Sequence, residues 1–236
     1  MIPGVPNLLK ATWRLYRSSI ALLSGYLAWL LLPQIGLVLI PLLPVGPWTH
    51  ILESLLVIVS IILSLWVSLI VIRILSAAAT GRHESLPAVI ASSKERFLPF
   101  VFAGVLQLLV IVGGFILLII PGFIFAVRYQ FAPLAAALDR AHGLQALSAS
   151  RKLSAGRFFP VLWRLLAGPI VLTAWYAMIM SIIFIPLMIM TGMSIDILTG
   201  DHPPIWFTAF DAIGQLFFLT PLLLAYLVLL YHSLTE

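Results

Sequence analysis

Apolar residues in this chain come in long unbroken runs, and the polar residues gather between them. Six apolar segments stand out, at roughly 20–43, 52–75, 98–120, 122–140, 158–190 and 205–232. At about 1.5 Å of rise per helical residue, each can cross a hydrocarbon layer about 30 Å thick. The runs are continuous rather than alternating, so they predict helices and not the strands of a membrane barrel. Arg128 and Pro133 interrupt the fourth segment, and Pro121-Gly122 is expected to be the tight turn that separates it from the third. The fifth is too long for one straight crossing and is expected to tilt, or to break at Gly168-Pro169 or Pro186.

The basic residues fall on one side of this pattern. Lys10, Arg14 and Arg17 precede the first segment, and Arg73, Arg82, Lys94 and Arg96 lie between the second and third. Arg140, Arg151, Lys152 and Arg157 lie between the fourth and fifth. The alternate connections, 44–50, 121–122 and 191–204, hold no Lys or Arg but do hold Asp196 and Asp201. Six crossings therefore put every basic segment and both termini on one face, which the excess of cations on cytoplasmic loops makes the cytoplasmic one.

The three basic segments resemble one another. "LLKATWRLYRSSIALL" from Leu8 aligns without gaps on "ALSASRKLSAGRFFPV" from Ala146, pairing Thr12 with Ser150 and Arg14 with Lys152. "LPAVIASSKERFLPF" from Leu86 needs a three-residue gap to set Arg96-Phe97 over Arg157-Phe158. The expected fold is an all-α integral membrane protein, a single membrane domain over 1–236. It comprises three repeats of amphipathic helix plus helical hairpin, at 7–75, 85–140 and 143–232. The first such helix, capped by Pro6-Asn7, shows an apolar stripe of Leu9, Trp13, Tyr16 and Ile20 beside its cations. Helices of this kind lie in the membrane interface, so Lys10, Arg14, Arg17, Lys94, Arg96, Arg151, Lys152 and Arg157 are expected to face anionic lipid headgroups.

Composition narrows the class. The 236 residues are 62% hydrophobic and 9% charged, too few charges to coat a water-facing surface. The formal charge of +5 is accounted for by the loop cations, so nucleic acid is not an expected partner. There is no cysteine, which excludes disulfides and thiolate chemistry. The first residues lack the pattern of a cleaved signal and are taken as part of the working protein.

Candidate chemistry is sparse. Arg128 is expected about 8 Å inside the apolar layer, and Asp211 at a similar depth from the same face. A buried unpaired charge costs several kcal/mol, so an Arg128–Asp211 pair is expected, with Glu53 as a third member. That pair is either a brace or part of a polar substrate path. Arg164 is expected to snorkel, and Gln107 and Gln215 to bond neighbouring helices. Gly113-Gly114 reads as a close helix contact, and Trp48, Trp206 and Tyr231 sit where interfacial anchors would. His50, His83, His142, His202 and His232 show no metal-ligand spacing, so no metal or cofactor is expected.

The run "IPGFIFAVRYQFAPLAAALDRAHGLQALSASRKLSAGRFFPVLWRLL" at 120–166 resembles the membrane domain that accompanies glycerophosphoryl diester phosphodiesterases, and is similar to YciC-like bacterial membrane proteins. Pro121-Gly122, Ala126-Val127-Arg128 and the series from Gly143 to Phe158 carry the likeness. It implies a multi-span protein of the bacterial inner membrane. The phosphodiesterase activity of that family belongs to a separate barrel whose His/Glu/Asp metal set is missing here, so no enzyme activity is implied. The leading expectation is a structural, assembly or lipid-organising protein, as an accessory subunit with a protein partner. The alternative is a permease or lipid carrier using Arg128 and Asp211, motivated by proline in most spans. A membrane-embedded enzyme ranks third.

Overall fold

The computed structural model describes residues 3–40, 44, 46–82, 86–192 and 204–235, and shows no strand among them. The helices are α1 (Val5–Leu27), α2 (Leu31–Leu39), α3 (Pro47–Ala79), α4 (Leu86–Leu117), α5 (Ile119–Tyr129), α6 (Ala132–Asp139), α7 (Leu144–Ser154), α8 (Phe158–Thr191), α9 (Ile205–Gly214) and α10 (Thr220–Thr235). A short 3-10 turn, Ala28–Leu30, joins α1 to α2, and a π-turn, Gln215–Leu219, joins α9 to α10. Together they make six helices long and apolar enough to cross a membrane, at Val5–Leu39, Trp48–Ala79, Pro87–Leu117, Ile119–Asp139, Phe158–Thr191 and Ile205–Thr235. The chain is a helical membrane protein of six spans.

Three expectations about local structure are corrected. The first two basic segments are not separate interface helices: Lys10, Arg14 and Arg17 lie on α1, and Lys94 and Arg96 on α4, each in helix that runs on into a span. No breaker intervenes after Arg17, and Pro99 is accommodated inside α4. Only the third segment, α7, is a helix of its own. The cap of α1 is Gly4 rather than Pro6-Asn7, with proline inside the first turn, where a missing N–H goes unnoticed. Pro121-Gly122 is likewise not a turn, because the chain reverses at Leu118, whose backbone is extended, and Pro121 and Gly122 belong to the first turns of α5. Gly122 is there for proximity. A Cβ on Gly114 would stand 3.0 Å from the Gly122 Cα, so α4 and α5 pack almost backbone to backbone. Gly113 takes no part in that contact. The fifth span is one helix, carrying Pro169 and Pro186 inside it.

The core sits at the end of the bundle that holds the two termini, called the terminal end below. On α3, Val67 to Leu75 are almost wholly buried, whereas Ile51, Leu55, Ile58 and Ile62 toward the other end are exposed. Leu8, Leu23 and Leu27 of α1 and Leu222, Val228 and Leu230 of α10 fill the same core. Away from it the chain continues as three pairs of helices, α2 on α3, α4 on α5, and α8 on α9 through Phe184 and Phe207, whose rings are 4.6 Å apart. Their outward faces, from Leu108 and Ile116 to Ile182 and Met190, are apolar and exposed, as a lipid-facing surface requires.

A close joint lies between α8 and α10. A Cβ on Gly168 would lie 2.0 Å from the ring of Tyr226, which is fully buried and donates its hydroxyl to the Arg164 carbonyl oxygen at 2.7 Å. The ring has nowhere to retreat, so Gly168→Ala is expected to destabilise the protein by about 2 kcal/mol. A thermal melt in detergent checks this, with Gly104→Ala, inside α4 with nothing within 4 Å, as the control expected to keep or slightly raise the melting temperature.

Candidate functional site: a cationic groove and an intramembrane carboxylate

Two polar features lie on the seam where α1, α8 and the start of α10 meet. The first is a groove of about 560 Å³. One wall is α1, which presents Lys10, Arg14 and Arg17 at helical spacings of four and three residues, so that all three reach the same side. The other wall is Val171, Leu172 and Trp175 of α8, and Leu222 of α10 closes the base. α1 can turn its cations this way because its opposite face, Leu8, Thr12, Leu15, Ser19 and Leu23, is committed to the core. No carboxylate among the described residues lines the groove.

Aromatic rings floor the seam. The Trp13 and Trp175 ring centroids are 5.2 Å apart, Trp175 and Phe218 5.7 Å, and Tyr16 and Phe218 5.8 Å, most of them edge to face. Tyr16 then donates its hydroxyl to the Phe217 carbonyl oxygen at 3.0 Å, serving a backbone group inside the π-turn. Tyr176, stacked on Phe218, reaches the second feature, Asp211.

Asp211 is held by neutral donors. Tyr176 donates to its Oδ1 at 2.9 Å, and Gln215, one turn on, donates Nε2 to its Oδ2 at 2.7 Å. Gly214 leaves room for the Tyr176 hydroxyl, which a Cβ would approach to 2.8 Å. The Arg128–Asp211–Glu53 cluster expected from depth alone is therefore not assembled. Glu53 lies instead 4.0 Å from the His50 ring, both exposed, at the far end of α3. Arg128 is half-buried on α5, and its guanidinium makes no hydrogen bond or ion pair among the described residues. Depth along a helix does not fix direction around it, and α5 packs on α4, α7 and α8 rather than on α9.

The backbone beside Arg128 is what the fold uses. Span four breaks at Gln130 and Phe131, where Pro133 in the first turn of α6 cannot donate to the preceding turn. The fully buried Ser150 hydroxyl of α7 bridges the break, accepting from the Phe131 N–H at 3.0 Å and donating to the Arg128 carbonyl oxygen at 2.8 Å. Three other arginines have buried tasks that the sequence did not signal. Arg73, 7% exposed, donates to the Val89 carbonyl oxygen at 2.9 Å and the Ser93 hydroxyl at 2.8 Å, tying α3 to α4. Arg96 donates to the carbonyl oxygens of Ala137 and Leu138 at 2.7 and 2.8 Å, capping the last turn of α6. Arg164 does not snorkel free: it donates Nε to the Pro3 carbonyl oxygen at 2.8 Å and Nη1 to that of Pro160 at 2.8 Å.

The remaining expected residues are placed as follows. Lys94, Arg151, Lys152 and Arg157 are exposed at the terminal end. Tyr231 is no surface anchor: it is 2% exposed and donates to the Asp139 carboxylate. Trp48 and Trp206 are exposed. Gln107 makes no side-chain bond among the described residues, and Gln215 bonds its own helix instead of a neighbour. His232 shares a hydrogen bond with Ser76 at 2.9 Å, and no metal-binding group of side chains occurs among the described residues. His83, His202, Asp196 and Asp201 lie outside them.

This geometry makes an energetic statement that a double-mutant cycle can read. Arg128→Ala and Asp211→Ala are expected to be additive within about 0.5 kcal/mol, as separate sites are. Tyr176→Phe and Asp211→Asn, which share a hydrogen bond, are expected to couple by about 1 kcal/mol. Denaturation of the four single and two double variants in mixed micelles supplies both numbers. No family model, curated protein or solved structure matches this chain.

Proposed function

We propose that this chain is a non-catalytic multi-pass protein of the bacterial inner membrane, with both termini cytoplasmic. Its terminal end holds anionic lipid headgroups, and it serves a structural or assembly role beside a protein partner. The observation that carries the reading is a division of labour among the cations. Arg73, Arg96 and Arg164 are engaged on backbone carbonyls inside the bundle. Lys10, Arg14, Arg17, Lys94, Arg151, Lys152 and Arg157 stay exposed around the terminal end, where anionic headgroups neutralise them.

The orientation rests on the excess of cations at that end. The repeat organisation is supported by the three helix pairs and by a fully buried hydroxyl in each basic segment, Thr12, Ser93 and Ser150. The likeness of 120–166 to the membrane domain beside glycerophosphoryl diester phosphodiesterases agrees with the compartment. Against the carrier alternative, motivated by proline in most spans, stands the loss of the polar site expected for it: Arg128 and Asp211 do not share a site, and the Asp211 carboxylate is engaged by Tyr176 and Gln215.

Two measurements test the proposal. In nanodiscs of phosphatidylcholine with increasing phosphatidylglycerol, the melting temperature is expected to rise with the anionic fraction, and to lose that rise at high salt. A melting temperature indifferent to lipid charge would remove the headgroup role. Because the chain has no native cysteine, His50→Cys and Ser148→Cys report topology directly. A membrane-impermeant maleimide added to spheroplasts is expected to label the former and not the latter, and the opposite pattern would invert the protein.

A further inference from the structure

We infer that the groove between α1, α8 and α10 is a binding site for one anionic phospholipid, its phosphate held by Lys10, Arg14 and Arg17 and one acyl chain laid along α8. The inference rests on the reading that the terminal end faces headgroups, and it narrows that diffuse contact to a single site.

Three features of the groove select this ligand. The first is charge: three cations converge on one volume that no carboxylate among the described residues lines, so their summed field is available to an anion from outside the chain. Arg14 and Arg17 bring planar forks suited to two phosphate oxygens, and Lys10 adds a point charge. The second is the opposite wall, which is apolar, so the groove sorts a molecule with one charged and one greasy side from a simple anion.

The third is continuity. Beyond Trp175, α8 carries Met178, Ile182, Ile185 and Ile189 at intervals of three and four residues, one stripe running away from the groove. All four are exposed, from 52% at Met178 to 77% at Ile189. From Val171 to Ile189 this track is about 27 Å long, longer than an extended acyl chain needs to cross one leaflet of a bilayer with an apolar core about 30 Å thick. A cationic pocket at one end of an apolar track has the polarity of a phospholipid in its leaflet. Trp13 and Trp175, edge to face at 5.2 Å, stand where head and tail join, the depth at which tryptophan is favoured.

Native mass spectrometry of the full chain released from mixed phosphatidylglycerol–phosphatidylcholine nanodiscs tests the site, with a phosphatidylglycerol that carries a photoreactive acyl chain as mapping probe. One retained phosphatidylglycerol per chain is expected, with cross-links on α8 between Met178 and Ile189. The triple variant K10Q/R14Q/R17Q, all at exposed positions, is expected to lower retention on the order of a hundredfold. R151Q/K152Q/R157Q, which loses the same charge elsewhere at the terminal end, is expected to leave it near the parent value. Val171→Trp keeps every charge and fills the groove, and it is expected to lower retention and remove the α8 cross-links. Equal losses in the two triple variants would overturn the site while leaving the general headgroup role standing. No loss in either would remove both. Equal retention of phosphatidylcholine would overturn the assignment to an anionic lipid.

Discussion

A guanidinium at the margin of an apolar bundle has little water to share, and here it also has few carboxylates to meet. Its donors go instead to backbone carbonyl oxygens, some of which helix geometry leaves without partners. The last turn of a helix always has such oxygens, and a cation near them also meets the negative end of the helix dipole. Arg96 on the end of α6 is that arrangement in full. Arg73 and Arg164 instead add a donor to a carbonyl oxygen in the first turns of α4 and to the carbonyl just ahead of α1, without help from a helix dipole. These bonds tie the second, third and fourth spans together and, separately, the fifth to the chain just ahead of the first, and Tyr226 on the Arg164 carbonyl adds the sixth. The compact terminal end, and with it the placement of α1 beside α8, depends on them.

Much of this was legible along the chain, and what was not has identifiable causes. Span number followed from run length, because a bilayer leaves no cheaper way to satisfy a continuous apolar backbone than a crossing helix. The cationic face was legible for the same reason, since loop charge survives any repacking of the spans. Local breaks were misread where a residue has two uses. Pro121 and Gly122 form a turn pair in many loops, yet a proline in the first helical turn and a glycine at a helix crossing obey equally ordinary rules. Partner choice in the spans was not legible at all. Asp211 and Arg128 match in depth and charge but sit on elements that do not pack together. The tyrosines held the missing signal. A buried phenol needs an acceptor, and Tyr16, Tyr176, Tyr226 and Tyr231, none above 8% exposed, each found one on another element.

The fold is also unequal from end to end. The terminal end is dense with buried leucine, valine and alanine and with cross-helix hydrogen bonds, while the other end divides into helix pairs that turn apolar faces outward. In water such faces would associate; in hydrocarbon they cost nothing, since lipid tails are as apolar as leucine. Motion is therefore cheapest in the separated pairs and dearest where the cations and tyrosines cross-link the helices.

The π-turn at Gln215–Leu219 makes the sixth span a two-sided element. One extra residue in a helical turn swings everything beyond it by about 100° relative to an unbroken helix. Before the turn, the face toward α8 carries Asp211; after it, the face toward α8 carries Tyr226. A chain shortened by one residue there would recover ordinary helix with both faces still in phase, whereas a change that straightened the turn at full length would swing one of the two faces off α8. The defect thus acts as a fixed phase shift, letting a single transmembrane element address the same neighbour with polar chemistry at one depth and with close packing at another.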